Sequence, residues 1–189
     1  MNFFSVIMPT YNQAHFIRRA ILSLYEQTYP NWELIIINDG CTDETEMFIS
    51  DFLDDARVVY IKNENNQGLG YALNQGLKVA KFDLIAYLPS DDYYFENHLE
   101  MIEAPFRQDK DVVLVYTGVC YDVSDSLIRA NDTESKGVRK GFEMQLVQVA
   151  HKKVNERWVE RSEWISDDLF AMYWRKLTIH GSFIRISDI

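Results

Sequence analysis

Residues 32–40 read WELIIINDG. The unbroken apolar run at 34–37 suits a strand buried on both faces, as the strands of parallel sheets are, and Asn38-Asp39-Gly40 ends it in a turn. Parallel strands cannot be joined by a tight hairpin, so the sequence on either side has to supply crossover helices. It does. Upstream, 5–8 is a short apolar run stopped by Pro9, and 14–27 repeats apolar residues at helical spacing through Phe16, Ala20 and Leu24, with Ile17 and Ile21 beside them. Downstream, Thr42 or Asp43 can cap a helix running to about Leu53. A strand at 58–61, a helix at 70–79, a strand at 84–88, a helix at 95–106 interrupted near Pro105 and a strand at 112–116 follow. Strict alternation of this kind predicts an α/β fold with a mainly parallel sheet flanked by helices.

Beyond Gly118 the alternation is lost. A polar stretch at 124–140 separates two expected strands near 143–150 and 157–163, which would make a C-terminal hairpin, and 167–176 (DDLFAMYWRK) reads as a helix opening on two acids. With 189 residues, 47% of them hydrophobic, the chain suits one domain, 1–189, without a second unit. It shows neither a spanning apolar stretch nor a leader, so a soluble, cytoplasmic protein is expected. The formal charge of −10 argues against general nucleic-acid binding. Residues 1–135 carry 9 basic and 22 acidic side chains, net −13, and 136–189 carry 10 and 7, net +3. The acidic part suits a cation. In the basic part Lys136, Arg139, Lys140, Lys152, Lys153, Arg157, Arg161, Arg175 and Lys176 could face a phosphate-bearing substrate or, peripherally, an anionic membrane surface, with a merely solvated basic face the competing role. Cys41 and Cys120 are too few for a disulfide framework or a zinc site. His15, His98, His151 and His180 show no metal-ligand spacing.

In open α/β sheets ligands bind beyond the carboxyl ends of the strands. The residues that follow each apolar run are therefore the informative ones: Pro9, Thr10, Tyr11 and Asn12, then Asn38, Asp39 and Gly40, then 63–68, then Pro89, Ser90, Asp91 and Asp92. Asp91 and Asp92 can share work between a sugar hydroxyl and a hard divalent cation, since Mg²⁺ or Mn²⁺ typically takes one or two protein carboxylates and fills its other positions with water and phosphate oxygens. Helix capping is the competing role for the same pair. The glycine pattern argues against a dinucleotide-binding fold and a P-loop. Gly68-Leu69-Gly70-Tyr71-Ala72-Leu73 lacks the third glycine of a dinucleotide fingerprint and follows the third strand, and no GxxxxGK[ST] occurs.

Taken together, SVIMPTYNQAHFIRRAILSLYEQTYPNWELIIINDGCTDET (5–45), NNQGLGYALNQGL (65–77) and LIAYLPSDDYYFENHLE (84–100) resemble the family 2 glycosyltransferases in order and spacing. The resemblance implies a GT-A fold with a Rossmann-like sheet, in which 1–120 bind a nucleoside-diphosphate sugar and 121–189 form an acceptor side that continues past the C-terminus. It implies that Pro9, Thr10, Tyr11, Asn12, Gly68 and Asn74 surround the nucleotide, that Asp39 contacts the base, and that Ser90-Asp91-Asp92 stand at the DXD position, with Asp91 at the ribose and Asp92 on Mn²⁺ or Mg²⁺. WISDDLFAMYWRKL (164–177) is similar to the family's region of an acid pair and helix, which makes Asp168, or else Asp167, the base that activates the acceptor hydroxyl. An inverting single displacement follows, from a UDP or dTDP sugar to a saccharide or lipid-linked acceptor, as in surface polysaccharide or glycolipid synthesis. Three positions depart from the pattern: Pro89 replaces a leading acid, Cys41 a serine, and Leu73 a basic residue, so that phosphate neutralisation is expected to lean on the metal. A catalytically silent binding domain and, more remotely, a sugar nucleotidyltransferase are the alternatives.

Overall fold

The computed structural model describes residues 2–123, 126–130, 144–163 and 168–186. Its elements follow the expected order through the first two thirds of the chain: β1 (Phe4–Thr10), α1 (Ala14–Tyr25), β2 (Trp32–Asn38), α2 (Thr45–Ile49), β3 (Val58–Lys62), α3 (Leu69–Val79), β4 (Leu84–Tyr87), α4 (His98–Gln108) and β5 (Val112–Tyr116). Pro105 sits inside α4, which continues to Gln108. The helix expected after the second strand is only five residues long and closes in a 3-10 turn at Ser50–Phe52.

The C-terminal part departs from expectation. The hairpin is formed earlier, by β6 (Val119–Val123) and β7 (Ser126–Ala130). Of the segments expected to form it, one supplies β8 (Val149–Lys152), an antiparallel strand inserted between β4 and β5, while 157–163 is irregular and ends in a 3-10 turn at Arg161–Glu163. After α5 (Leu169–Leu177), β9 (Ser182–Arg185) joins β5 in parallel at the sheet edge. No periodic signal marks β9 in a four-residue exposed-to-intermediate stretch.

Seven strands thus make one sheet in the order β3-β2-β1-β4-β8-β5-β9. The pleat divides their side chains into two cores. Val6, Met8, Leu34 and Ile36 pack on α1, α2 and α4, and Ile7, Ile35, Ile37, Ile85 and Tyr87 pack on α3 and α5. Burial on both faces is the reason 34–37 carries no polar alternation. Beneath α5 lies an aromatic cluster. Tyr87 donates its hydroxyl to His151 Nε2 at 2.7 Å, and His151 Nδ1–H donates to the Lys152 carbonyl at 2.7 Å. Trp158 stacks on Tyr173 with centroids 4.0 Å apart. Among the described residues no helix is long and apolar enough to cross a membrane.

Candidate functional site

The chain leaves β1 toward β2 and β3 on one side and returns to place β4 on the other. Strand order reverses there, and such a switch point opens a crevice. β4 pairs with β1 only as far as Ile7, so Pro9, which has no N–H to give, lies where no β4 partner is needed. The crevice is a cleft of about 540 Å³. Of the residues singled out in the sequence, Pro9, Thr10, Tyr11, Asp39, Gly68, Asp91 and Asp92 line it. Tyr11 is half exposed, an open aromatic face at the end of β1. Thr10 is 3% exposed and its Oγ1 has no hydrogen-bond partner, a polar atom left for a ligand.

Asp39 is buried and organises the cleft floor. Its Oδ1 accepts from Asn63 Nδ2 at 2.8 Å and from the Gln67 amide at 3.0 Å, and Oδ2 accepts from the Gly68 amide at 2.8 Å. The carboxylate therefore holds the β3–α3 loop, whose Gly68 takes φ +97°, a conformation side chains resist. Gly40 is required as well, at φ +78° with the Asn65 and Asn66 backbone against its α-carbon.

Asp91 is exposed, and its Oδ2 accepts weakly from Gln13 Nε2 at 3.4 Å. Asp92 is half-buried. Its carboxyl is pushed up to about 6 by burial first and by the neighbouring Asp91 charge second, with Arg19 opposing. A cation beside the pair would relieve that repulsion. No group of three or more His, Cys, Asp or Glu residues gathers at metal-binding spacing among the described residues. The donors present fit Mg²⁺ or Mn²⁺ held by one or two carboxylates together with phosphate oxygens.

Three predicted residues lie elsewhere. Asn12, at φ 55°, turns its side chain to the β2–α2 loop, where Oδ1 accepts from the Thr42 amide at 2.8 Å. Cys41 fills the serine position with serine-like bonding: Sγ accepts from the Asn12 amide and donates to the Thr10 carbonyl. Asn74 clamps the backbone of Trp158. Asp168 caps α5, accepting from the Ala171 amide at 2.8 Å, two residues before Phe170, which does line the cleft. Asp167 lies outside the described residues. Gln145, Leu146, Phe170 and Arg161 also line the cleft, and of these only Arg161 carried a sequence signal, its charge. His180 pairs with Glu156 at 3.0 Å and is not among the cleft residues.

This sheet order sets a cleft at the switch point and an acid pair after β4, where α/β sheets bind their ligands. The chain belongs to glycosyl transferase family 2, whose model matches residues 5–180. Among its relatives is the Escherichia coli UDP-Glc:alpha-D-GlcNAc-diphosphoundecaprenol beta-1,3-glucosyltransferase WfgD, 42% identical over 97 residues, a match covering 51% of this chain and 38% of WfgD. The fold is similar to that of S. aureus TarS 1–349 solved with UDP, with TM-score 0.82 and 20% identity over 99% of this chain and 58% of that one. It is also similar to that of the Pyrobaculum calidifontis mannosyltransferase PcManGT solved with GDP-Man and Mn²⁺, with TM-score 0.73 and 18% identity over 99% of this chain and 55% of the other. The architecture is therefore the GT-A fold, and the chain spans less than two thirds of the length of these proteins.

Proposed function

We propose that this chain is the donor-binding and catalytic region of an inverting glycosyltransferase that moves a sugar from a UDP or dTDP sugar to an acceptor hydroxyl with the help of Mn²⁺ or Mg²⁺. The observation that carries this is the convergence of Thr10, Tyr11, Asp39, Asp91 and Asp92 on one cleft at the switch point. A saccharide or lipid-linked acceptor in glycolipid or surface polysaccharide synthesis is supported by WfgD, whose name specifies a diphosphoundecaprenol-linked acceptor. Peripheral contact with a membrane would follow from such an acceptor.

In this mechanism Tyr11 and Thr10 receive the nucleoside, Asp39 keeps the β3–α3 loop against the base, and Asp91 accepts from the ribose. Asp92 would hold the divalent cation, which when bound supplies positive charge to the leaving diphosphate. Asp168 takes the proton of the acceptor hydroxyl. The freed oxygen forms a bond to the anomeric carbon from the side opposite the diphosphate, and the anomeric C–O bond breaks with its electron pair leaving on the nucleotide. One displacement inverts the anomeric configuration.

Two measurements test this. Isothermal titration with UDP, dTDP and ADP should give tighter binding of the pyrimidine nucleotides, and equal affinity for all three would remove Asp39 from base recognition. A panel of sugar nucleotides, assayed for release of free nucleoside diphosphate with and without lipid-linked acceptor, should single out one donor. Nucleotide binding without acceptor-dependent release from any donor would instead favour a silent binding domain.

A further inference from the structure

Helix α3 offers the nucleotide no cation. Leu73, at the position where related sequences often carry a basic residue, is fully buried in the core. The C-terminal part brings one to the same place. After β8 the chain crosses the first turn of α3 and is fastened there at successive points. Asn74 donates Nδ2 to the Trp158 carbonyl at 3.1 Å and accepts the Trp158 amide on Oδ1 at 2.8 Å. Gly70 has no side chain to keep the Val159 carbonyl away: a Cβ there would stand 2.0 Å from its oxygen. Arg161 then lies over Gly68, its Nε 3.2 Å from where a Cβ would be, and donates Nη2 to Asn66 Oδ1 at 2.8 Å.

Among the described residues Arg161 is in no ion pair. The two acids beside it in the sequence are engaged, Glu160 by Asn74 and Glu163 by Arg157. Among the described residues the hydrogen-bond partner of Arg161 is the neutral Asn66 amide. The side chain is exposed and forms part of the cleft wall that Thr10, Asp39 and Asp92 share. Thr10 Oγ1, buried and without a partner in the same cleft, is an independent sign that a polar ligand completes this site. A guanidinium presents a planar fork that matches phosphate oxygens in pairs, and it stays charged at any working pH.

We propose that Arg161 is the cation that binds the diphosphate of the nucleotide in this cleft, and that Gly70 and Asn74 are positioning residues that hold its segment across α3. The proposal rests on the nucleotide-binding assignment above. It makes the C-terminal part of the chain a contributor to donor binding, and it sets a side-chain charge on the diphosphate beside the divalent cation proposed for Asp92.

The test is isothermal titration of the 189-residue chain with uridine and with UDP, in EDTA and again with Mn²⁺, for the wild type, Arg161→Gln, Arg161→Lys and Asn66→Ala. Because charged hydrogen bonds are strong, Arg161→Gln should weaken UDP binding about 10- to 100-fold while changing uridine binding less than about two-fold. Arg161→Lys should recover part of the UDP affinity, and the loss should persist in EDTA. Melting curves establish that the variants are folded, as expected for substitution of an exposed side chain. Wild-type UDP binding matched by Arg161→Gln overturns this proposal alone. So does an equal loss for uridine and UDP that Asn66→Ala reproduces, since Arg161 would then only shape the loop. Wild-type protein that binds neither ligand overturns the nucleotide assignment itself.

Discussion

Replacing Gly70 by alanine separates helix propensity from tertiary packing, because the two predict opposite signs. Gly70 is the second residue of α3, where alanine is favoured over glycine by at most the helix-interior value of about 0.5–1 kcal/mol. Against this, the new Cβ would stand 2.0 Å from the Val159 oxygen, where ordinary contact begins near 3.4 Å, so the carbonyl is about 1.4 Å too close. The obstacle is backbone and no rotamer change relieves it. Overpacking of this kind costs about 1–3 kcal/mol. Moving the segment also strains the paired Asn74–Trp158 hydrogen bonds, worth about 0.5–1.5 kcal/mol each. Central values leave Gly70→Ala less stable by about 3 kcal/mol, which for a domain of this size lowers Tm by roughly 6–12 °C. Displacing Arg161 should also weaken UDP binding more than uridine binding. Calorimetry with the two titrations measures both effects. A variant that melts at or above the wild-type temperature would refute the close packing of 157–161 on α3, and with it the positioning role of Gly70.

Three further outcomes are expected. Asp92→Asn should remove the strengthening of UDP binding by Mn²⁺ in calorimetric titration, and a variant with undiminished metal dependence takes Asp92 out of the cation site. Asp168→Asn should lower turnover by about 10²–10⁴-fold with donor affinity nearly unchanged, and because asparagine caps helices as well as aspartate does, stability should hold; if only Asp167→Asn abolishes transfer, the base is Asp167. Burial pushes His98 down to about 3 and His151 down to about 4, from 6.5, so unfolding takes up protons below pH 6.5 and stability should fall as pH drops through that point. The loss between pH 7.5 and 5.5 is about 1.4 kcal/mol for each histidine, partly offset by Asp92, whose raised value acts in the other direction. His98→Phe should remove one share of that loss in urea denaturation and be no less stable at pH 7.5, since His98 Nε2 is buried without a partner; an unchanged pH dependence would sink this.

The first two thirds of the fold were legible because parallel strands buried on both faces leave continuous apolar runs, and because the residues after each run meet at one sheet edge. Thr10, Tyr11, Asp39, Asp91 and Asp92 were found that way. What could not be read there was the order of the C-terminal strands. Periodicity in 143–150 indicates an extended segment but not its partners, and β8 enters between β4 and β5 through long-range antiparallel pairing. Segment 157–163 forms no strand ladder: Asn74 of α3 holds the Trp158 backbone and Gly70 admits the Val159 carbonyl, and local pattern carries no trace of that.

Asn74 shows why residue-by-residue transfer of roles has a physical limit. Its amide can satisfy either a ligand or a backbone, and in this chain both its oxygen and its nitrogen are spent on Trp158, with the nitrogen also reaching Glu160. Leu73 of the same helix faces the core because α3 packs its apolar stripe on Ile7, Ile35 and Ile37. The two facts belong together. In place of a charge at 73, α3 offers a dock, made of Gly70 and Asn74, for a segment that carries Arg161 to the cleft. Whether a family position binds substrate or positions the residue that does is therefore decided by what lies across it, 84 residues further along the chain in the Asn74–Trp158 pair.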